Sequence, residues 1–182
     1  VFVRYLDATG LVTDNDVVIA TRGGLRSTSI NSDRSITIDM GRATPPRSRA
    51  LPHVTVDERT WPAVGVLVPN PHAVVFLDDL ALAGDLTRAP GVAPDDVFPD
   101  GVNVEFVVDR GANHVAMRVH ERGVGETMSC GTGACAVAWA ARRRTGDDSP
   151  GESTWRVDVP GGTVHVTETM DGSLLLRGPA DL

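Results

Sequence analysis

ERGVGETMSCGTGACAVAWAARRR is the stretch that decides the fold, and it runs from Glu121 to Arg144. A polar, glycine-bearing loop ends at Cys130, a Gly-Thr-Gly turn follows, and an alanine-rich run leads to three arginines. Small apolar residues recur in this run at helical spacing, which predicts a helix from Gly131 to about Arg144. The arginines suit the negative end of the helix dipole, and Gly146 can end the helix.

Cys130 stands at the predicted start of this helix. Unpaired backbone N–H groups and the positive end of the helix dipole favour a thiolate there and can hold an anion. Its neighbours Ser129, Gly131 and Thr132 are small and polar, unlike the packing around a structural cysteine. We therefore expect a reactive thiol beside a pocket for a carboxylate or phosphate, with a buried structural cysteine as the alternative. Cys135 lies one turn further on between alanines, which predicts a core residue.

The bulk composition excludes several classes of function. The 182 residues are 41% hydrophobic and 23% charged, enough for a real core. A net charge of −7 argues against non-specific binding to nucleic acid or to an anionic membrane. All 17 basic residues are arginine, so the sequence contains neither a Schiff-base lysine nor a phosphate-loop lysine. Two cysteines are too few for a disulfide framework, which favours a cytoplasmic setting.

Strands and turns make up most of the remaining sequence. Residues 1–9 read as the end of a helix that Gly10 stops. Prolines and arginines in residues 42–50 indicate a linker, so we expect domains at 1–44 and 45–182. Loops are expected at 69–72 and 90–100, and a short helix at 78–86. Predicted strands lie at 17–21, 25–30, 35–40, 64–68, 73–77, 102–108, 114–119, 155–159, 163–167 and 174–177. The fold class is therefore α+β, with strands around one long helix.

Several polar positions have both a functional and a plain interpretation. Glu121 and Arg122 form either a solvated ion pair at a strand end or a carboxylate that tunes the thiol with an arginine that grips a carboxylate. His72 is either a loop histidine without a role or part of a site. Asn103 fits the start of a strand. The arginines at 142–144 are expected to be a solvated helix end, and the histidines show no spacing typical of a metal site.

Three segments together resemble the diaminopimelate epimerase family. Residues 121–134 resemble its second active-site signature, Asn70-Pro71-His72 its substrate-loop motif, and residues 98–105 its asparagine segment. Their order and spacing agree with the family. The triplets at 22–24 and 39–41 also fit its inter-domain stretch, Arg22 included.

This resemblance implies two similar lobes, each a strand-rich barrel around a central helix, with the site in the cleft between them. Residues 45–182 would form one full lobe and residues 1–44 a remnant of the first. The implied activity is an isomerase reaction that interconverts LL- and meso-diaminopimelate, on the route to lysine and peptidoglycan. It uses neither pyridoxal phosphate nor metal, and two cysteines act on opposite faces of the substrate α-carbon.

The resemblance also implies a role for individual residues. Cys130 would be a catalytic base or acid, and His72 and Glu121 would modulate the pKa values of the thiols. The substrate would contact Asn70, Asn103, Glu121, Arg122, Gly131 and Thr132, the last pair through backbone N–H groups.

One departure from the family concerns the first catalytic cysteine, which opens a Cys-Gly-Asn-Gly turn before a helix. This chain begins at Val1, inside what resembles that helix, so we expect a fragment that is inactive alone. Cys135 cannot replace the missing thiol, because it lies one turn from Cys130 on the same helix. The expected partner is a small-molecule substrate, without nucleic acid or membrane, and a homodimer of the full-length protein is left open.

Two other functions remain open at this point. One is a proline-racemase-like isomerase of the same two-lobed architecture, which also needs no cofactor. The other is a non-catalytic thiol module for redox chemistry or ligand binding, which predicts an oxidisable Cys130 without stereochemical activity.

Overall fold

The computed structural model describes residues 1–21, 23–147 and 151–182, so the predicted role of Arg22 in the inter-domain stretch lies outside the described residues. The helices are α1 (Phe2–Ala8) and α2 (Gly131–Arg144). The first seven strands are β1 (Asp16–Thr21), β2 (Gly24–Ile30), β3 (Ile36–Arg42), β4 (His53–Val56), β5 (Arg59–Pro62), β6 (Val64–Val68) and β7 (Asn70–Phe76). The next seven are β8 (Gly91–Ala93), β9 (Asn103–Gly111), β10 (His114–Glu121), β11 (Gly125–Glu126), β12 (Ser153–Val159), β13 (Gly162–Glu168) and β14 (Ser173–Gly178).

Among the described residues, eleven strands form one sheet and three form another. The large sheet runs β1-β2-β3-β14-β13-β12-β10-β9-β7-β6, with β11 added to β10. Its pairs are antiparallel except for β10 with β12 and β7 with β9, which are parallel. The smaller sheet has the order β5-β4-β8.

Helix α2 lies inside the curve of the large sheet. It contacts β6 and β7 at one end of the strand order and β13 and β14 towards the other. Its alanines, Cys135 and Val137 share one core with Val74, Val107 and Met117, which come from β7, β9 and β10. The small side chains of α2 let the strands approach on several sides. The predicted α+β fold, with strands around one long helix, is confirmed.

A second core lies on the other face of β7 and β9. There Val75 and Phe106 pack with Val54 of the smaller sheet. The ring of Phe106 meets that of Trp61 edge-on at a centroid distance of 6.3 Å. The large sheet is therefore covered on both faces in this region, which explains why β9 reads as an almost continuous apolar run.

Local signals placed most elements correctly, but β4, β5 and β11 were not predicted and three predicted segments need correction. The segment 69–72 was predicted as a loop, but Asn70, Pro71 and His72 belong to β7. The predicted loop 90–100 contains β8 and a 3-10 helix at Asp95–Val97. The predicted helix at 78–86 is a single 3-10 turn, Leu80–Ala83, with the Asp79 side chain accepting a hydrogen bond from the N–H of Ala81.

Neither helix of the described chain has the length and apolar character that a membrane crossing requires.

Candidate active site at the start of helix α2

Cys130 is the N-cap residue of α2. Its backbone is extended, with φ −125° and ψ 111°, and its carbonyl accepts the first helical bond, from the N–H of Ala134 at 2.9 Å. The N–H of Gly133 donates to Sγ at 3.4 Å, and the Thr132 hydroxyl lies 3.5 Å from the same sulfur. The thiol thus takes the capping role that a serine or aspartate oxygen usually has. This confirms the predicted place of Cys130 at the mouth of the helix.

The predicted thiolate is not what the surroundings of Cys130 favour. Only 6% of the residue is exposed, and burial raises the pKa of its thiol to about 11. Hydrogen bonds from Thr132 and Gly133 act in the opposite direction, whereas the charges of Glu105 and Glu121 raise the pKa further. Desolvation therefore outweighs the helix end, and the expectation of a depressed pKa is wrong for this conformation. Cys135 is fully buried, as predicted, and burial raises its pKa strongly too.

Alternation along three strands places five polar residues on the sheet face that carries α2. Val74 of β7, Val107 of β9 and Val119 of β10 belong to the core around the helix. Side chains two or four positions away lie on the same face of a strand. The polar residues so placed are Asn70, His72, Asn103, Glu105 and Glu121.

His72 and Glu105 form a hydrogen-bonded pair inside this face. His72 Nδ1 and Glu105 Oε1 are 2.7 Å apart, and both side chains are completely buried. Parallel pairing of β7 and β9 sets His72 opposite Asn103 and Val74 opposite Glu105, so His72 and Glu105 are diagonal neighbours on one face of the sheet. His72 is therefore not the loop residue that was one of the two interpretations of the sequence.

Glu121 and Arg122 go to different surroundings. Glu121 is half-buried, and its Oε1 accepts a hydrogen bond from the Thr127 hydroxyl at 2.6 Å. The guanidinium of Arg122 is exposed and donates to the carbonyl of Asp100, while its backbone N–H donates to Asn103 Oδ1 at 2.9 Å. Asn103 therefore ties the end of β10 to the start of β9.

Arg122 lines a groove on the outer face of the sheet. This groove has a volume of about 670 Å³ and is also lined by Phe98, Val104 and His120. Val104 belongs to the second core, away from α2. The structure thus groups Asn70, His72, Asn103 and Glu121 on the inner face with Cys130, and sets the Arg122 side chain apart from them.

Sequence reasoning missed Glu105, and it noted Gly133 only as part of the Gly-Thr-Gly turn. A Cβ built on Gly133 would lie 2.8 Å from Glu105 Oε1 and 3.2 Å from Cys130 Sγ. Only glycine leaves room for the carboxylate and the sulfur to approach this helical turn together. The signal for Glu105 was its spacing of two from Asn103 and from Val107 in the predicted strand.

The chemistry available here is proton transfer beside an anion-binding helix start. The first N–H groups of α2 have no partner within the helix, so Gly131 and Thr132 can donate to a carboxylate. A thiol with buried carboxylates nearby can hold a proton or release it.

The sequence matches proteins of one known family. The family model described as diaminopimelate epimerase matches residues 65–182. The diaminopimelate epimerase of Streptomyces coelicolor is 55% identical over 183 residues, which cover 99% of this chain and 63% of that protein. That of Rhodococcus opacus is 43% identical over 190 residues and is likewise covered to 63%.

The chain belongs to the diaminopimelate epimerase family. It spans 63% of the length of these two curated relatives. The resemblance first seen in three short segments thus extends over 99% of the chain in the alignment with the Streptomyces coelicolor protein.

Solved structures show how far the fold extends beyond the diaminopimelate epimerase family. A hydroxyproline epimerase from Agrobacterium vitis matches with a TM-score of 0.64 at 17% identity, covering 98% of this chain and 62% of that one. A phenazine biosynthesis protein of the PhzF family from Enterococcus faecalis matches with a TM-score of 0.61 at 17% identity, covering 99% and 67%. At such identities the likeness concerns the fold alone, and the predicted two-lobed fold family is confirmed.

Proposed function

We propose that the protein interconverts LL- and meso-diaminopimelate by removing and returning the proton on the α-carbon, without a cofactor. The observation that carries this proposal is the position of Cys130, whose sulfur caps the first turn of α2 while Asn70, His72, Asn103 and Glu121 share the sheet face packed on that helix. Membership of the diaminopimelate epimerase family supports the choice of substrate.

In this proposal the substrate α-carboxylate binds the N–H groups of Gly131 and Thr132. The positive end of the helix dipole then stabilises the negative charge that develops when the α-proton leaves. Asn70, Asn103 and Glu121 contact the substrate, and Arg122 does so only if its side chain leaves the Asp100 carbonyl. His72 and Glu121 modulate the thiol, and Cys130 serves as acid or base.

The reaction needs a second thiol on the opposite face of the α-carbon. The sequence holds two cysteines, and Cys135 is fully buried in the core one turn after Cys130. We therefore infer that the second thiol comes from polypeptide beyond these 182 residues, and that the chain alone does not turn over substrate.

The domain division belongs to the same proposal. Residues 45–182 would form one lobe, since the strands that pack on α2 include β6, β7, β9, β10, β12, β13 and β14, all of which lie there. Residues 1–44 would be part of the other lobe. Val18 and Leu25 lie on the same face of β1 and β2 and are 63% and 71% exposed, and further polypeptide of that lobe would cover these apolar side chains. A cytoplasmic location, with diaminopimelate as the partner, completes the proposal.

Hydrogen–deuterium exchange tests the function. Each stereoisomer of diaminopimelate is incubated in deuterium oxide with the 182-residue chain, and with the same chain extended upstream by its own coding sequence. We expect α-deuteration and epimerisation from the extended protein, and neither from the 182-residue chain. Full turnover by the 182 residues would overturn the need for a second thiol, and an extended protein that acts on proline instead would overturn the substrate.

The thiol redox module is less well supported. Redox-sensing cysteines combine exposure with a depressed pKa, whereas burial raises that of Cys130 to about 11.

A further inference from the structure

The pair formed by His72 and Glu105 is unusual because it is completely buried and incompletely hydrogen-bonded. Nδ1 and Oε1 are joined at 2.7 Å, but His72 Nε2 and Glu105 Oε2 have no hydrogen-bond partner among the described residues. Buried polar atoms are nearly always paired, and leaving one unpaired costs about 1–3 kcal/mol. Stability alone therefore gives no reason for a carboxylate at this position.

The free oxygen belongs to a carboxylate that lies beside the sulfur. The point where a Cβ on residue Gly133 would lie is 2.8 Å from Glu105 Oε1 and 3.2 Å from Cys130 Sγ. Glu105 also lies on the same sheet face as the residues that pack around α2. The carboxylate, the thiol and the first helical turn thus share one desolvated space.

A negative charge in this space opposes ionisation of the thiol, because like charges repel strongly where water is excluded. The groups that act on the sulfur from neighbouring elements are Thr132 and Gly133 on α2, Glu105 on β9 and Glu121 on β10. Of the two acids, Glu105 is fully buried, whereas Glu121 is half-buried and accepts a hydrogen bond from Thr127.

We propose that Glu105 is a positioning residue that, fixed by His72, holds Cys130 as the protonated thiol, so that this sulfur is the proton donor of the resting site. The catalytic role of this protonated thiol rests on the proposed function. The α C–H bond breaks as its proton passes to the second thiolate, and the electron pair left on the α-carbon takes the proton of the Cys130 S–H bond on the opposite face. Cys130 ends as the thiolate, and protons and electrons balance without a further reagent.

The test follows alkylation of Cys130 by iodoacetamide against pH, in the 182-residue chain, with peptide mass spectrometry to separate Cys130 from Cys135. Glu105→Gln removes the charge and keeps the shape. We expect its rate at about pH 8.5 to rise at least about threefold, because half a pKa unit changes the thiolate fraction by that factor. Glu105→Asp keeps the charge and should stay close to the unmodified chain. Glu58→Gln, an exposed site in the smaller sheet's β4–β5 turn, is the matched control and should change nothing.

The shape of the pH profile separates charge from loosening of the structure. Loss of the charge moves the profile to lower pH and leaves the rate at high pH unchanged, whereas loosening raises the rate by one factor at every pH. An unchanged profile in Glu105→Gln, a uniform rise, or a Glu105→Asp profile that matches Glu105→Gln would each overturn the inference. If circular dichroism shows that Glu105→Gln is unfolded, Glu105→Met carries the same expectation. Alkylation needs no turnover of diaminopimelate, so the proposed function can fail while this result stands.

Discussion

The two ends of helix α2 differ in how the carboxylate beside each end is hydrogen-bonded. At the C-terminal end, Arg143 donates to both oxygens of Glu168 at 2.9 and 3.1 Å, and Arg142 donates to the same carboxylate at 3.3 Å. At the N-terminal end, Glu105 has a histidine as its partner and keeps one oxygen without a hydrogen bond among the described residues. One end satisfies its carboxylate fully, and the other does not.

This difference separates stability from reactivity within one helix. Burial acts to raise the pKa of Glu168, but the hydrogen bond from Arg143 and the charges of both arginines outweigh it and hold the pKa below its usual range. At the other end burial and acidic neighbours both raise the pKa of Cys130. The C-terminal end therefore stabilises ion pairs whose arginines the helix dipole favours, and the N-terminal end holds a proton.

The largest effect is expected at the N-terminal end, from Cys130→Ser in the extended protein. A serine hydroxyl is a far weaker acid and base than a thiol, so turnover of diaminopimelate should fall by at least about a hundredfold, with the fold intact. Deuterium incorporation at the α-carbon measures this. Cys135→Ala is the control and should keep most of its turnover, because Cys135 only fills the core. Near-normal turnover in Cys130→Ser would discard the role given to this sulfur.

The C-terminal end should respond in stability instead. Glu168→Ala removes the shared acceptor of Arg142 and Arg143, and we expect the free energy of unfolding to fall by about 2–3 kcal/mol. Urea unfolding measures the change, with Glu152→Ala, at an exposed position, as the control that should shift by less than about 0.5 kcal/mol. Since the pKa of Glu168 is lower in the folded state, its contribution is present above the unfolded value and lost on acidification.

The difference in the free energy of unfolding between Glu168→Ala and the unmodified chain should therefore become smaller as the pH falls from neutral to about pH 3. A difference that stays constant across this range would mean that packing, and not the charge of Glu168, stabilises the C-terminal end.

Local sequence signals were enough to predict α2 and most strands. Its bounds follow from the glycine turn, the alanines and the arginines, and the Pro-Gly-Gly turn at 160–162 correctly predicted the hairpin of β12 and β13. Pairing of β3 with β14 joins segments more than 130 positions apart, and no local pattern encodes it. Pro71 suggested a break, yet it lies near the start of β7, where a strand tolerates the missing N–H.

The structure brings Asn70, His72, Asn103 and Glu121 onto the sheet face that packs on α2, but the sequence did not predict the electrostatics there. The polar neighbours of Cys130 in sequence suggested solvent, whereas its side chain points towards the core between α2 and the sheet. Desolvation depends on residues distant in sequence, Glu105 among them, and a linear pattern does not show it. The arginines at the helix end were expected to be solvated, which is wrong for Arg142, whose side chain is 8% exposed, and correct for Arg144 at 52%.

Arg144 gives the smallest expected effect and the closest test of the comparison. Its guanidinium is 2.6 Å from Asp109, but both side chains are more than half exposed, and such pairs contribute little because water screens them. Arg144→Gln, which also loses the contact of the guanidinium with the Phe76 ring at 4.5 Å, should change the free energy of unfolding by less than about 1 kcal/mol, and its ion-pair contribution should be smaller still at high salt. Arg143→Gln, which loses both Glu168 contacts and the stacking on Trp139 at 3.8 Å, should cost clearly more. Equal losses in the two variants would show that the dipole, which acts on both arginines alike, governs this end, and not the buried carboxylate.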